Sequence, residues 1–506
     1  MIAGRFGAEA WVDGGLRVGA VLMTLVFVGL LSFIPLWGND FWLQARIGQM
    51  IIETGSIPRT VLFPFTEAQF SSFNAHEWLP SIAFHLLDKA FGYEHLVFVL
   101  GALGLLLFAI PFTTVWHLTG SLAISLLFAG MAVAVANYRQ VLRPEIFALV
   151  LFSSVLCVLT MYRTSGGWRK LAWVVPISVV WANTHGSFLL GPTVAALFAG
   201  GEAAEAFRHH AAGATRERMR VAARAGYPYA MAAAAMALVS LLNPLGIGLW
   251  HFVFNLSASE VTKLAIYEWQ PTFSPRFMSE PAFYIFIVAG VGSLALLAWR
   301  WRNLRTTEGL LFLLFAALAL ERNRFVVLFG FVVAVVCAAA IGRSGQRSRE
   351  RLLLVLVAVA ASVGTALAIT FGNARGSFPY YSPSVNFTEP MVNMLDRPQM
   401  RGNVFNSYEL GAELIYRAYP RLRPSIDSRI DSYGDDYYMK QTTILVDEPR
   451  LNRFLSEYHV RYMLLLWRDF DYIKGMKTLQ ANGWHMEFAD HKMVLLARQP
   501  STQALP

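Results

Sequence analysis

The chain has 506 residues, of which 56% are hydrophobic and only 15% are charged. With a mean hydropathy of +0.45, this composition excludes an ordinary soluble protein and predicts an integral membrane protein. The net charge of +9 comes mainly from arginines between the hydrophobic runs, without a basic arm or an interleaved aromatic stripe, so the sequence predicts no nucleic-acid partner. Cys157 and Cys337 both lie inside hydrophobic runs, which excludes a disulfide framework and a cysteine-based zinc site.

Long uncharged stretches predict the transmembrane helices, because about 20 apolar residues span the ~30 Å hydrocarbon layer. The stretch at residues 96–138 is long enough for two helices, turned at residues 117–120. The sequence therefore predicts a polytopic α-helical protein with about 11 transmembrane helices. The stretches are residues 18–39, 96–138, 146–162, 171–184, 186–201, 225–259, 281–299, 309–320, 325–342 and 352–373.

The basic turns orient these helices, because lysine and arginine concentrate in cytoplasmic loops. With the N-terminus inside, all four strongly basic turns lie in the cytoplasm, at residues 163–170, 208–224, 300–305 and 343–351. This topology suits a bacterial inner membrane with the active face outside. It divides the chain into a cytoplasmic lead at 1–17, a membrane domain at 18–373 with a first external loop at 38–95, and an external soluble domain at 374–506.

The external segments carry regular patterns of their own. Residues 41–54 and 78–91 of the first loop read as amphipathic helices at the membrane interface. The C-terminal segment alternates between strand and helix patterns and predicts a small α/β domain. Its predicted strands are residues 403–408, 423–427, 461–467, 484–488 and 493–497, and its predicted helices are 410–419, 448–458 and 472–481.

The first external loop carries two acids, each close to a tryptophan. Asp40 lies two residues before Trp42, and Glu77 lies between His76 and Trp78. A carboxylate at the membrane surface between aromatic anchors can meet both a lipid-borne and a water-borne substrate. The acids are therefore candidates for a general base and its supporting acid or metal ligand, with His76 beside them and the tryptophans as substrate contacts. Alternatively, each acid caps the helix that follows it.

Two very short external turns carry arginines, namely Arg139, Arg143, Arg322 and Arg324. An arginine close to the hydrocarbon layer is costly unless it faces a cavity or binds an anion. Because a planar guanidinium group binds phosphate oxygens bidentately, these residues are candidate phosphate ligands. The alternative is that they form surface ion pairs, Arg143 with Glu145 and Arg322 with Glu321.

Further polar and aromatic residues lie at predicted external helix tips and in the third long external loop. They are Asn183, His185, Asn243, Glu268 and Trp269. Such groups can hydrogen-bond hydroxyls and stack on a ring, as expected of a few polar groups in an apolar cleft. Alternatively, the asparagines satisfy free groups at helix ends. The spacing of the histidines and acids is not diagnostic of a metal site.

Together these motifs resemble those of membrane glycosyltransferases of the GT-C fold, polytopic enzymes that take sugars from polyprenyl-phosphate donors on the external face. In that family an acid of the first external loop serves as catalytic base or metal ligand, and this role carries over only to Asp40. Some relatives have two adjacent acids there, whereas here the nearest second acid is Glu77. The resemblance covers residues 17–373 and rests on Asp40-Phe41-Trp42, the turn at residues 55–59, His76-Glu77-Trp78, Arg143-Pro144 and Asn183-Thr184-His185-Gly186.

The resemblance implies transfer of a sugar from a polyprenyl-phosphate donor to the hydroxyl of a glycan, lipid or protein. It implies Asp40 as the base. The chemistry of such a transfer also needs cations to hold the phosphate, which assigns Arg143 and Arg324 to it and leaves Glu77 and His76 as orienting or acceptor-binding groups. A divalent metal is left open.

Two alternatives remain at this level. A transporter or lipid flippase would use charges at the membrane midplane and internal repeats. A non-catalytic membrane scaffold would bind a partner through its external domain.

Overall fold

The structure is a computed structural model that describes residues 2–34, 36, 38–66, 72–210, 215–258, 263, 266–343, 347–374 and 387–499. Most of the predicted junction with the external domain, at residues 375–386, lies outside the described residues. The chain divides into two compact units. The first comprises Met1–Pro35, Glu94–Trp250 and Lys263–Ser382, and the second comprises Leu36–Tyr93, His251–Thr262 and Pro383–Pro506.

The first unit is a bundle of apolar helices. Within the described residues, nine segments are long and apolar enough to cross a membrane. This confirms a polytopic α-helical membrane protein. The helices are Ile2–Ser32, Leu96–Thr119, Leu122–Ala136, Pro144–Ser165, Trp168–Leu171, Val174–Ala182, Leu190–His209, Thr215–Val239, Pro275–Met278, Pro281–Trp299, Thr306–Glu321, Val326–Ile341 and Arg347–Ala374.

The predicted number of 11 transmembrane helices is not confirmed. The stretches at 171–184 and 309–320 do form helices, but Val174–Ala182 has 9 residues and Thr306–Glu321 has 16. Both are shorter than the roughly 20 residues that span a bilayer. The predicted turn inside residues 96–138 is present, because the first helix of that pair ends at Gly120 with φ of 64°.

The uncharged stretch at 225–259 contains two helices. The helix Thr215–Val239 is followed by a separate helix, Gly248–Ala258, in agreement with the helix tip predicted at Asn243. Between them Asn243 is extended, with φ −65° and ψ 144°. Proline disfavours the helical conformation of the residue before it, so Pro244 accounts for the break.

Charged groups lie at both ends of the Pro144–Ser165 helix. Near its C-terminal end, Arg163 pairs with Glu308 at 2.5 Å and lies 3.7 Å from Glu202. Glu202 also pairs with Arg305, at 2.7 Å, so two of the predicted cytoplasmic turns meet here. Arg143 precedes the helix at its other end. At 1.5 Å per residue the two charged ends are ~30 Å apart, which is the thickness of the hydrocarbon layer.

The second unit contains a five-stranded sheet. The strands are β1 Gly402–Asn406, β2 Leu422–Pro424, β3 Val460–Leu466, β4 Trp484–Ala489 and β5 Met493–Arg498. Their order across the sheet is β2-β1-β3-β5-β4. Strand β1 pairs in parallel with β2 and β3, and β5 pairs antiparallel with β3 and β4. Every predicted strand is present, so the small α/β domain is confirmed.

Short helices cover the sheet. The helix predicted at 472–481 is two helices, Trp467–Ile473 and Lys477–Ala481. Gly475 lies between them, and glycine is a poor helix former. The remaining helices of this part are Glu389–Leu395, Gly411–Ala418, Ile430–Tyr433, Asp435–Thr443 and Glu448–Glu457.

The first external loop belongs to the same unit as the sheet. It forms the two predicted helices, Asp40–Thr54 and Trp78–Phe91. The ring centroid of Trp42 lies 4.9 Å from that of Tyr416, and the Tyr416 hydroxyl donates a hydrogen bond to the Asp88 carboxylate. The apolar face of the first loop helix is therefore covered in part by the C-terminal domain.

A buried ion pair makes a second connection between loop and domain. Arg429 donates two hydrogen bonds to Asp427, at 2.9 and 2.6 Å. Its guanidinium carbon lies 4.7 Å from the ring centroid of Phe73 and 5.2 Å from that of Phe63. A cation over aromatic rings is attracted to them, so the Ser425–Tyr433 segment holds the first loop against the domain.

Candidate functional site

The predicted site residues form two groups, one in each unit. The group of the second unit begins with Asp40, the first residue of the helix Asp40–Thr54. Asn39, not Asp40, is the N-cap residue, and its side chain makes no capping hydrogen bond. A carboxylate in the first turn of a helix interacts favourably with the helix dipole.

Glu77 is held by side chains rather than by a helix end. It is the N-cap of the helix Trp78–Phe91, but its side chain makes no capping hydrogen bond. Instead, Gln44 Nε2 donates to Glu77 Oε2 at 2.8 Å, and Ser81 Oγ donates to Gln44 Oε1. Gln44 lies four residues after Asp40, so both side chains project from one face of the helix. Glu77 is therefore hydrogen-bonded to a side chain on the same helix face as Asp40.

His76 is a neutral group beside Glu77. Burial lowers the pKa of its imidazole to about 4, against a weaker opposing effect of the Asn74 backbone. Nδ1 lies 3.0 Å from the Asn74 carbonyl oxygen, which only accepts hydrogen bonds, so Nδ1 carries the proton. Nε2 is then unprotonated and lies 3.6 Å from Glu77 Oε1. His76 can accept a hydrogen bond at Nε2 from a bound hydroxyl.

The two tryptophans of this group differ in environment. Trp42 is buried, with 2% of its surface exposed, against the rings of Tyr93 and Tyr416 at 4.2 and 4.9 Å. The Arg417 guanidinium carbon lies 4.9 Å from its ring centroid. Trp78 is partly exposed at the first position of its helix. The contacts of Trp42 give it a packing role next to Asp40, and its contact with substrate stays a prediction.

The group of the first unit is a cluster of arginines around two carboxylates. Arg139 pairs with Glu145 and lies 3.3 Å from Glu268. Arg143 lies 3.6 Å from Glu268. The side chains of Arg139 and Arg143 are 8% and 24% exposed, so Arg143 is the more accessible of the two.

Glu268 is ionised because of its neighbours. Burial alone would raise the pKa of its carboxyl group. The charges of Arg139, Arg143 and Arg324 lower that pKa to about 2 instead. Three guanidinium groups therefore act on the carboxylate of Glu268, and guanidinium groups are the side chains that bind anions most readily.

The remaining residues of this cluster fix the loop around Glu268. The guanidinium carbon of Arg324 lies 4.1 Å from the ring centroid of Trp269. Arg322 donates to the Trp269 carbonyl oxygen at 2.7 Å and lies 3.4 Å from the Glu321 carboxylate. Asn323 Nδ2 donates to the Tyr267 carbonyl oxygen at 2.9 Å. The surface pairing expected of Arg322 is therefore present, together with a contact to the loop.

Asn183, His185 and Asn243 lie at helix tips of the first unit. Asn183 Nδ2 donates to the Val179 carbonyl oxygen, and Asn243 Nδ2 donates to the Ala182 carbonyl oxygen at 2.9 Å. Both asparagines are buried, at 5% and 3% exposed, and satisfy helix ends as the alternative interpretation expected. His185 Nδ1 accepts from the Ser187 backbone amide at 3.1 Å. A role for these three residues in substrate binding stays a prediction.

Sequence reasoning missed Gln44 and Ser81, which connect Glu77 to the Asp40 helix. The only sequence signal was the i, i+4 spacing of Asp40 and Gln44 on a helix that is otherwise apolar on its buried face. Ser81 could not be found, because its role depends on how two helices pack.

The described side chains offer few donors for a metal ion. Among the residues that the structure describes, no three histidine, cysteine, aspartate or glutamate side chains come together to hold one. His76 and Glu77 supply two donors, whereas a catalytic zinc site takes three protein ligands.

No protein-family model and no curated protein matches the sequence. Solved structures of two membrane proteins are similar. The archaeal oligosaccharyltransferase AglB from Archaeoglobus fulgidus, in complex with an inhibitory peptide and a dolichol-phosphate, matches with a TM-score of 0.58 and 13% identity, over 98% of this chain and 75% of that one. A second structure of the A. fulgidus oligosaccharyltransferase, a complex with Zn and sulfate, has a TM-score of 0.55 and 14% identity over 95% of this chain and 73% of that one.

ArnT from Cupriavidus metallidurans, in the apo state, matches with a TM-score of 0.54 and 14% identity, over 97% of this chain and 98% of that one. At these identities the likeness concerns the fold. It confirms the GT-C fold that the sequence motifs predicted.

Proposed function

We propose that this chain is a glycosyltransferase that moves a sugar from a polyprenyl-phosphate-linked donor to an acceptor hydroxyl of a glycan, lipid or protein. The arginine cluster around Glu268 is the observation that carries the proposal. The fold supports it, because the A. fulgidus AglB structure with the same fold contains a dolichol-phosphate and a peptide. By the predicted topology, the transfer takes place on the external face of a bacterial inner membrane.

Within the cluster, Arg143 and Arg324 would bind the donor phosphate. Arg139 is the most buried of the arginines that contact Glu268 and also pairs with Glu145, so its role is to position that carboxylate. Arg322 holds the Trp269 backbone and would keep the loop in place. Guanidinium groups bind phosphate oxygens through paired donors, which suits the phosphodiester between lipid and sugar.

Asp40 would act as the general base. Its carboxylate takes the proton of the acceptor hydroxyl, whose oxygen forms a bond to the anomeric carbon of the sugar. The bond from that carbon to the phosphate oxygen breaks, and the polyprenyl phosphate leaves with the electron pair. A positioned base contributes ~100 to 10,000-fold to such a rate. Gln44 and Glu77 would orient the acceptor, with His76 accepting one of its hydrogen bonds.

The positions of the charges favour a transferase over a transporter or flippase. Arg143 and Arg163 lie at the two ends of the Pro144–Ser165 helix, whereas a transporter binds its substrate near the midplane. A scaffold without catalytic activity would not require a cluster of arginines at a helix tip.

The binding of undecaprenyl phosphate to purified protein tests the phosphate site. Wild type is compared with Arg143→Lys and Arg324→Lys, which keep the charge but lose the paired donors of the guanidinium group. A charge-assisted hydrogen bond contributes ~1.5 to 3 kcal/mol, so each variant should bind on the order of tenfold to a hundredfold more weakly.

Arg305→Lys is the matched control, because Arg305 pairs with Glu202 in the other charged cluster. Its affinity for undecaprenyl phosphate should equal that of wild type. Unchanged affinity in both test variants would mean that the Glu268 cluster does not bind the donor phosphate.

A further inference from the structure

The C-terminal domain contains an open cavity at one edge of its sheet. The cavity has a volume of about 460 Å³, including the open space at its mouth. It is lined mainly by polar side chains from three segments that follow or flank the strands. These are Asn406, Ser407, Tyr408 and Glu409, then Tyr438, Gln441 and Thr442, then Arg468 and Asp469.

The position of this cavity follows from the strand order. Strands β2, β1 and β3 are parallel neighbours. From β1 the chain passes through the helix Gly411–Ala418 to β2 on one side, and later returns to β3 on the other side. In open α/β sheets, ligands bind outside the carboxyl ends of the strands, where the strand order reverses in this way. Ser407 directly follows β1, and Arg468 and Asp469 lie just beyond β3, so the cavity is at the reversal point.

Hydrogen bonds join the ends of β1 and β3 beneath the cavity. Ser407 Oγ donates to the Asp469 carboxylate and accepts from the Leu466 backbone amide at 2.9 Å. Ser407 is buried, at 4% exposed. Because these bonds fix Ser407 and Asp469, the floor of the cavity is already ordered without a ligand, and little entropy is lost when one binds.

Gln441 is the independent sign of a missing ligand. Its side chain lines the cavity, and the residue is only 7% exposed. Among the residues that the structure describes, its Oε1 has no hydrogen-bond partner. A buried amide oxygen without a partner is uncommon, because leaving it unsatisfied costs about 1 to 3 kcal/mol. A ligand hydroxyl or amine could donate the missing hydrogen bond.

The charges around the cavity define the chemistry of that ligand. Arg468 pairs with Glu409 and lies 3.5 Å from Asp469. Two carboxylates against one guanidinium group leave one negative charge, which disfavours phosphates and nucleotides. Carboxylate and amide oxygens accept hydrogen bonds from hydroxyls, and the ring of Tyr438 offers an apolar surface. Hydroxyl groups on a compact ring match this set of acceptors.

We propose that this cavity is a carbohydrate-binding site for a neutral or amine-bearing sugar ring, held by Gln441, Glu409 and Asp469. The site is separate from the sugar-transfer chemistry proposed above and does not rest on it. It gives the C-terminal domain a ligand of its own, in addition to its packing against the first external loop.

The test measures sugar binding by the full-length protein in lipid nanodiscs, because common detergents carry sugar headgroups. The probes are glucose, galactose, N-acetylglucosamine, glucosamine and glucose 6-phosphate. Binding of each sugar is measured by saturation-transfer NMR. Wild type should bind at least one of the four uncharged or amine-bearing sugars, and should bind glucose 6-phosphate at least about tenfold more weakly than its best ligand.

Three variants locate the binding. Gln441→Ala and Glu409→Gln should each weaken binding of the best sugar by about threefold to tenfold, the effect of one hydrogen bond. Gln480→Ala is the matched control, because Gln480 is exposed on the helix Lys477–Ala481 and does not line the cavity. Its affinity should not change. Melting temperatures show whether each of the three variants is folded. Because Glu409 is partly exposed, Glu409→Gln keeps the test valid if Gln441→Ala does not fold.

Asp40→Asn separates this site from the proposed transfer site. Sugar binding that persists in Asp40→Asn and weakens in Gln441→Ala or Glu409→Gln supports the cavity, whether or not the protein transfers sugar. The proposal is overturned if none of the four sugars binds, if both cavity variants bind like wild type, or if glucose 6-phosphate binds most tightly. Binding of an unrelated peptide at the cavity, in the absence of any sugar binding, would also overturn it.

Discussion

Glu268 is a single residue whose charge organises the arginine cluster, since it contacts Arg139 at 3.3 Å and Arg143 at 3.6 Å. Replacing it by glutamine keeps the shape and removes the charge. Arg139 is then left with Glu145 alone in a site where its side chain is 8% exposed. Breaking a buried ion pair in this way costs about 3 to 5 kcal/mol. We therefore predict that Glu268→Gln strongly lowers the melting temperature of the purified protein.

Glu321→Gln is the matched control for this prediction. Glu321 pairs with Arg322 but is 63% exposed, and exposed ion pairs contribute ~0 to 1 kcal/mol. Its melting temperature should stay close to that of wild type. Equal effects of the two substitutions would mean that Glu268 acts as an ordinary surface charge.

His76 gives the protein a pH-dependent stability. Its folded pKa of about 4 lies below the ordinary value near 6.5, so the unfolded state takes up a proton first as the pH falls. Stability is complete above pH ~6.5 and is lost on acidification toward pH ~4. At pH 5 this contribution has fallen by about 2 kcal/mol.

The measurement is the melting temperature between pH 7.5 and pH 5. Wild type should lose more stability on acidification than His76→Gln, which has no titrating group at this position. His491→Gln, at an exposed position, should behave as wild type does. An identical pH dependence in wild type and His76→Gln would show that His76 is not buried in its neutral form.

Gln44 matters through the orientation of Glu77. Gln44→Leu keeps a similar volume but removes the hydrogen bond to Glu77 Oε2. If Glu77 orients the acceptor, transfer should fall on the order of tenfold, the effect of one well-placed hydrogen bond. Gln49→Leu, on the same helix but bonded to Arg46 and Glu53, should leave the rate unchanged. A rate unaffected by Gln44→Leu would remove Glu77 from the proposed mechanism.

At the level of elements, the two helices of the first loop approach closely at Gly48. A Cβ atom at this position would overlap the Ser81 backbone carbonyl, and backbone cannot move aside as a side chain can. Only glycine permits this approach. The same contact brings Ser81 within hydrogen-bond reach of Gln44, so the packing of the helices and the arrangement of the site depend on one residue.

We predict that Gly48→Ala destabilises the protein by about 1 to 3 kcal/mol, the usual cost of overpacking. It should also reduce transfer by displacing Glu77. Gly292→Ala is the control, because a Cβ atom there meets nothing within 4 Å. That variant should be neutral or slightly stabilised. Melting temperatures that do not differ between the two variants would contradict the close approach at Gly48.

The elements differ in how well the sequence predicts them. The loop helices and all five strands follow from local hydrophobic patterns, and the structure has them within a few residues of their predicted ends. The helix end at Asn243 and Pro244 also follows from the sequence, because proline disfavours the helical conformation of the residue before it. The joining of the first loop to the C-terminal domain could not be predicted, because contacts such as Trp42 with Tyr416 connect residues far apart in sequence.

At the scale of the whole molecule, the two charged clusters at the ends of the Pro144–Ser165 helix predict which side of the membrane each turn faces. The predicted topology places Gly167 in the cytoplasm and Ser279 outside, and both are exposed. With Cys157 and Cys337 replaced by alanine, a cysteine at residue 279 should react with a membrane-impermeant maleimide in intact cells. A cysteine at residue 167 should react only after the membrane is permeabilised. Labelling of both in intact cells would contradict the topology.

The central claim is that Asp40 is the base of a sugar transfer from a polyprenyl-phosphate donor. It is tested by release of undecaprenyl phosphate from a panel of undecaprenyl-phosphate sugars, incubated with purified protein and a cell-envelope extract that supplies acceptors. Wild type should release undecaprenyl phosphate from one donor of the panel, with the sugar recovered on the acceptor. Asp40→Asn should reduce that rate by ~100 to 10,000-fold with an unchanged melting temperature, because the amide keeps the shape and removes the basicity. Release by Asp40→Asn at the wild-type rate would contradict the account and leave Asp40 as a helix-terminal charge.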